Sequence, residues 1–203
     1  MKIFCVGRNY ADHAKELKNE VPEEPVIFMK PKSALLQGPT PFYYPEFSNE
    51  LHYEVELVLN ICKNGKYIPQ DQAGKYYDRI TAGIDFTARD IQAELKKKGL
   101  PWEKAKAWDN SAVVGTWVDI TPVMLKNPIL FSLQKNKGTV QSGNSKDMIF
   151  SFDHIVSHIS TYFSLNIGDL IFTGTPAGVG ECVTGDVLEG FLGDERMFEL
   201  EIR

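Results

Sequence analysis

Hydrophobic and polar positions alternate most strictly between Leu51 and Leu59. There L-H-Y-E-V-E-L-V-L predicts a strand with Leu51, Tyr53, Val55, Leu57 and Leu59 on one face and His52, Glu54, Glu56 and Val58 on the other. Ile3 to Val6, Val26 to Met29, the run I-T-A-G-I-D-F-T-A at 80–88 and Asp169 to Thr173 read as further short strands. Ile129 to Gln134 and Thr139 to Ser142 flank the turn K-N-K-G, which predicts a hairpin, and Phe191 to Ile202 closes the chain with strand-like alternation.

Helical signals are fewer. Tyr10 to Leu17 is rich in Ala, Lys and Glu, with Asn9 placed to cap it and Asp12 near the first-turn amides. Arg89 to Leu95 leads into Lys96, Lys97 and Lys98, cations that favour the last turn of a helix, and Gly99 then supplies the cap. Ser151 caps a third helix expected to bury Ile155, Val156, Ile159 and Phe163. Prolines at 22 and 25 break the chain, and 39–45 is a loop. Strands outnumber helices without a βαβα rhythm, so the pattern predicts a mainly β or α+β fold in one domain over residues 1–203.

Composition narrows the function classes. With 43% hydrophobic and 24% charged residues the chain has the makings of a soluble globular core, and a net charge of −5 supplies no basic footprint for nucleic acid. No run of about 18 apolar residues exists to cross a bilayer, and the start M-K-I-F-C-V-G is interrupted too soon for a signal peptide. Cysteines 5, 62 and 182 are odd in number and scattered, which speaks against a disulfide framework or thiolate metal site and fits a reducing cytoplasm.

Glu54 and Glu56 pose the central chemical question. Two carboxylates on one face of a core-forming strand repel each other and resist desolvation unless a cation compensates. Asp85 is the only charge in its own β-type run and supplies a third. An oxygen-only set suits Mg²⁺, Mn²⁺ or Ca²⁺ and argues against zinc or copper.

Other motifs carry weaker signals. His13 and Glu16, three apart on one helix, could orient and polarise a water as a dyad. The loop G-T-P-A-G-V-G at 174–180 lacks the P-loop and dinucleotide patterns, although its amides could approach a small anion with Thr175 offering a hydroxyl. His154 and His158 lack the acid of H-E-x-x-H and read as structural, and no G-x-S-x-G elbow is present.

Six segments in fixed order complete the reading: G-R-N-Y-A-D-H-A-K-E at 7–16, F-M-K-P at 28–31, H-Y-E-V-E-L at 52–57, G-I-D-F-T-A-R-D-I-Q at 83–92, K-K-G-L-P-W-E-K-A-K at 97–106 and G-D-L-I-F-T-G-T-P-A-G-V-G at 168–180. Together they resemble the fumarylacetoacetate hydrolase family over essentially the whole chain, in its short acylpyruvase and oxaloacetate decarboxylase-like branch. The resemblance implies a mixed β-sheet roll, a homodimer, and Mg²⁺ or Mn²⁺ held by Glu54, Glu56 and Asp85. It further implies that His13 and Glu16 activate water, that Lys106 faces the substrate, and that Arg8, Gln92 and Thr175 bind it. The expected substrate is a small 2-oxo acid. Chelation of its carboxylate and 2-keto oxygens would let C3 accept negative charge, so that an acyl group could be lost to water or a carboxylate lost as carbon dioxide. An isomerase or decarboxylase of unsaturated oxo-diacids, and a catalytically silent metal-binding module, are the alternatives.

Overall fold

The computed structural model describes residues 1–16, 20–38 and 40–203. Leu17, the expected end of the first helix, and Pro39, the expected start of a loop, lie outside them. In chain order the elements are β1 (Ile3–Gly7), α1 (Ala11–Glu16), β2 (Val26–Lys30), β3 (Leu51–Tyr53), β4 (Val55–Ile61), β5 (Tyr77–Asp85), β6 (Thr87–Ala88), α2 (Arg89–Lys98) and α3 (Glu103–Lys106). There follow β7 (Ala112–Val114), β8 (Val118–Asp119), α4 (Pro122–Lys126), β9 (Leu130–Lys135), β10 (Gly138–Asn144), α5 (Phe152–Tyr162), β11 (Leu170–Phe172), β12 (Gly180–Glu181), β13 (Val187–Leu192) and β14 (Glu195–Glu201).

Three sheets curl around one apolar core, giving the expected mainly β, α+β roll. The largest runs β2-β1-β11-β4-β5-β7, with β8 also paired to β5. It is mixed, because β1 lies parallel to β11, Ile3 opposite Leu170, while β2, β4, β5, β7 and β8 make antiparallel pairs. A four-stranded sheet β10-β9-β13-β14 and a short sheet β12-β3-β6 complete the roll. Leu57, Ile80, Leu133, Leu188 and the α5 residues Ile155 and Ile159 meet in the main core. Each such fully buried aliphatic side chain contributes about 1.5–3 kcal/mol of hydrophobic stabilisation.

The alternation read from 51–59 survives in a divided form. Val55, Leu57, Leu59 and Ile61 face the main core, and Val58 faces a second cluster with Ile3, Cys5 and Phe172. Both faces of β4 are therefore buried, and Glu56 lies inside the protein. The strand is also broken. Glu54 sits where the chain leaves the short sheet of β3 and enters the large sheet through β4, which frees its side chain from the regular ladder.

The turn signals read well. Asn136 and Lys137 both take positive φ, 52° and 69°, as a tight hairpin turn requires. Gly99 ends α2 in the left-handed region, and the Ser151 side chain accepts the His154 amide at the start of α5. Three local expectations are corrected. Asn9 does not cap α1: its Nδ2 donates to the carbonyls of Phe150 and Thr173, at 3.1 and 2.8 Å, and its Oδ1 accepts the Phe150 amide at 2.7 Å. Satisfying buried backbone groups on two distant segments outweighs a local cap. Phe163 follows the last turn of α5 and is 37% exposed, because the helix ends before it. The closing stretch is two strands joined at Gly193, whose φ of 58° makes the turn.

Candidate active site

The carboxylates expected to gather do so. Glu54 at the β3–β4 break, Glu56 on β4 and Asp85 at the end of β5 are buried, and each offers an oxygen within 4.8 Å of the other two. They line one cleft of about 420 Å³, counted out to its open mouth, together with Arg8, His13, Gln92, Lys106 and Thr175. Eight of the nine residues singled out from the sequence thus face a single space. Glu16 reaches it through His13.

Three cations answer the carboxylates. Lys106 Nζ lies 2.8 Å from Glu54 Oε2 and 2.7 Å from Asp85 Oδ2, so this side chain, expected to face the substrate, also bridges two of the acids. Arg89 Nη2 lies 2.5 Å from Glu54 Oε1, and Lys30 Nζ lies 2.8 Å from Asp85 Oδ1. Burial alone would raise the Glu54 pKa, but Lys106, Arg89 and His13 together hold it well below the usual carboxylate range. Burial, then Asp85 and Glu54, push Glu56 well above that range, with only the Gly174 amide and Lys106 opposing. Lys106 is raised: burial opposes its charge, yet Asp85 and Glu54 outweigh the desolvation.

This donor set fits a hard divalent cation. The ligand atoms are all oxygens, as Mg²⁺ and Mn²⁺ prefer. Asp85 Oδ1 is buried and accepts no hydrogen bond, its contact with Lys30 being ionic only. A buried acceptor left open beside two more carboxylates has the character of a metal ligand.

The glycine loop uses its amides on the protein's own acids. Gly174 N donates to Glu56 Oε2 at 2.7 Å, which orients that carboxylate. Its φ is 103°, and an added Cβ would come within 2.6 Å of Asn9 Cβ, so only glycine fits. Further along, Gly178 N donates to both oxygens of Glu16. Thr175 Oγ1 donates to the Val55 carbonyl at 2.8 Å and accepts from Gln141 Nε2 at 2.9 Å, so its hydroxyl hydrogen is committed to the fold.

His13 is buried on α1, with Nδ1 3.3 Å from Glu16 Oε2. Burial lowers its pKa, against the raising effect of Glu54 and Glu16, and so favours the neutral imidazole a base needs. Gln92 accepts from Arg89 Nη1 at 2.7 Å.

Arg89, Lys30 and Trp102 stand at the site inside quoted segments but carried no role in the sequence reading, and Lys96 was read only as the end of a helix. Arg89 carried a usable signal, because a cation in the first turn of a helix opposes the dipole and asks for another reason to be there. Lys30, ending the apolar run V-I-F-M-K, carried a similar one.

Known proteins resemble this chain along nearly its whole length. The family model described as fumarylacetoacetate (FAA) hydrolase C-terminal matches residues 2–203. The mitochondrial oxaloacetate tautomerase FAHD1 of Mus musculus is 42% identical over 187 residues, covering 92% of this chain and 85% of that protein. The mitochondrial oxaloacetate decarboxylase of Dictyostelium discoideum is 41% identical over 189 residues, 93% of this chain and 87% of its own length. Among solved structures, fumarylpyruvate hydrolase from Pseudomonas aeruginosa in complex with Mn²⁺ and pyruvate superposes with a TM-score of 0.93 at 35% identity, covering 100% of this chain and 89% of that one.

Proposed function

Because the chain belongs to the fumarylacetoacetate hydrolase C-terminal family, we propose that it is a Mg²⁺- or Mn²⁺-dependent enzyme of small 2-oxo acids. It cleaves the C–C bond of acylpyruvate-type substrates by hydrolysis and, where C3 carries a carboxylate as in oxaloacetate, releases carbon dioxide. The observation that carries this reading is the buried Glu54, Glu56 and Asp85 cluster facing one cleft with neutral-favouring His13 and cationic Lys106. The Mn²⁺ and pyruvate of the Pseudomonas relative support it.

Glu54, Glu56 and Asp85 would hold the cation, which when bound supplies an electron-withdrawing partner for the carboxylate and 2-keto oxygens of the substrate. Arg8 and Gln92 orient the 2-oxo acid from the cleft wall, and Thr175 shapes the floor. In hydrolysis, His13, steadied by Glu16, takes a proton from water as the water oxygen bonds to the acyl carbonyl carbon. The bond from that carbon to C3 then breaks, its electron pair passes to C3, and protonation there yields pyruvate beside the released acid. Lys106 stabilises the developing negative charge, a contribution of about 2.7–4 kcal/mol for a well-placed donor. In decarboxylation the C3–carboxylate bond supplies the same electron pair and no water is consumed.

A second reading is keto–enol interconversion of oxaloacetate, favoured by the name of the Mus musculus relative. It uses the same residues to move a proton between C3 and the enol oxygen without breaking a C–C bond. The proposal includes a homodimer acting in the cytoplasm, although the two oxaloacetate relatives are mitochondrial proteins. Among the described residues no helix is long and apolar enough to cross a membrane.

Turnover of acylpyruvates, oxaloacetate and unsaturated oxo-diacids, measured with Mg²⁺ or Mn²⁺ and after chelation, tests the reading. Metal-dependent formation of pyruvate from an acylpyruvate is the expected result. Interconversion of oxaloacetate tautomers with no pyruvate from any substrate would favour the second reading, and silence across the panel would leave a binding module.

A further inference from the structure

The three lysines that close α2 are not equivalent. Lys97 and Lys98 are exposed, as cations serving a helix terminus should be, and Lys98 pairs with Glu94 at 3.3 Å. Lys96 is half-buried and lines the carboxylate cleft. Its ammonium stands 5.5 Å from the centroid of Trp102, whose ring meets Phe28 edge-on at 5.9 Å. The Trp102 ring thus holds this cation at the cleft while part of the side chain stays exposed.

Arg8 lines the same cleft with φ at 61°, a left-handed conformation that a non-glycine residue seldom adopts. Such a residue is held there by its surroundings, and strained positions of this kind concentrate at ligand sites. Among the described residues, no carboxylate lies within 4.0 Å of Arg8 or Lys96. Burial first, then Arg8 and Arg89, lower the Lys96 pKa, and the more distant Glu54 only partly offsets them, so like charges crowd this cation without an anion in contact with it.

Charge balance limits what that anion can be. Lys106, Arg89 and Lys30 face Glu54 and Asp85, so three cations already stand against the three carboxylates. A divalent ion then leaves the cleft positive, and Arg8 and Lys96 make it more so. A monoanionic 2-oxo acid offsets one of these charges; a dianion offsets two.

We propose that Lys96, with Arg8 near it, forms an anion subsite that reads the second carboxylate of a 2-oxo diacid, making the cleft selective for dianionic over monoanionic 2-oxo acids. The inference rests on the 2-oxo acid reading above and adds the residues that would tell a diacid such as oxaloacetate from a monoacid. Lys96 is then a specificity residue, and the helix-end role suggested by its sequence position belongs to Lys97 and Lys98.

Calorimetric titration of the Mn²⁺-loaded protein with pyruvate and with 2-oxoglutarate provides the test, since neither carries a group that can leave from C3. The wild type should bind 2-oxoglutarate about tenfold more tightly than pyruvate, as expected for one charged hydrogen-bonding contact. Lys96→Met should abolish that preference while pyruvate affinity stays within about twofold, and Lys96→Arg should keep it. An unchanged melting temperature in Lys96→Met would show that the fold is intact. Binding of both probes without a diacid preference, or an equal loss of both in Lys96→Met, overturns the subsite alone. Failure of the wild type to bind either probe counts against the 2-oxo acid reading itself.

Discussion

Glu16 accepts the Gly178 amide on both of its carboxylate oxygens, at 3.1 and 3.3 Å. The same carboxylate faces His13 Nδ1 at 3.3 Å, so one side chain ties the candidate base to the glycine loop that also orients Glu56. Two variants separate these duties. Glu16→Gln keeps an acceptor for Gly178 and loses the charge that steadies His13; Glu16→Ala loses both. Hydrolysis of an acylpyruvate should fall about 10²-fold in each, in the range typical of positioned acid–base groups. Amides of α1 should exchange with deuterium faster only in Glu16→Ala, and equal exchange in the two variants would remove the latch.

With His13 as the proposed base, its ionisation should set the pH dependence. Burial keeps its pKa below the ordinary 6.5, although Glu54 and Glu16 pull the other way. A base must be neutral, so hydrolysis should rise with pH through an inflection below 6.5 and stay level above it. An inflection above neutrality would mean that another group limits the rate. His13→Ala should collapse acylpyruvate hydrolysis and spare oxaloacetate decarboxylation, which needs no activated water; matching losses of both activities would refute this division of labour.

The three carboxylates of the candidate site were legible in the residues because they occupy positions with an energetic oddity, whereas Arg8, Gln92, Lys106 and the substrate role of Thr175 were suggested only by the family likeness of the six ordered segments. Glu54 and Glu56 interrupt an apolar strand, Asp85 is the sole charge in its run, and glycines cluster after β11. The fold class followed from the excess of strands over helices. What escaped depends on distant pairing. Nothing near Asn9 says that its amide is needed by Phe150 and Thr173 rather than by α1. The strand break at Glu54 exists because β3 and β4 pair with different sheets, which local alternation does not encode. Lys96 looked like a helix terminus because it is one, and only the packing of Trp102 turns it into the cleft.

Asp85 offers a test of the proposed metal centre. Asp85→Asn removes a ligand charge, and with it the ionic part of the contacts to Lys30 and Lys106, while keeping the shape of the side chain. Titration of the chelated protein with Mn²⁺ should show binding in the wild type and affinity reduced by about tenfold or more in Asp85→Asn, at least the loss seen when a mere hydrogen-bonding partner of a metal ligand is removed. Unchanged binding would take Asp85 out of the site.

Lys30 would connect the stability of the protein to a metal bound at Asp85. It is fully buried, with Nζ 2.9 Å from Ser111 Oγ, 3.0 Å from Ser111 O and 2.8 Å from Asp85 Oδ1, and it also donates to the Lys106 carbonyl. Lys30→Met leaves a buried acid short of a counter-charge, while the Lys106 and Ser111 carbonyls keep the Ser111 hydroxyl and the Phe86 amide as donors; loss of one partner of a buried ion pair costs about 3–5 kcal/mol. A divalent cation bound by Asp85 would supply part of the missing charge and stabilise only the folded state. The difference in melting temperature between wild type and Lys30→Met should therefore be large without metal and should narrow when Mn²⁺ is added. A difference that stays constant would assign Lys30 to holding the Ser111 and Lys106 carbonyls, and would leave Asp85 balanced by Lys106 alone.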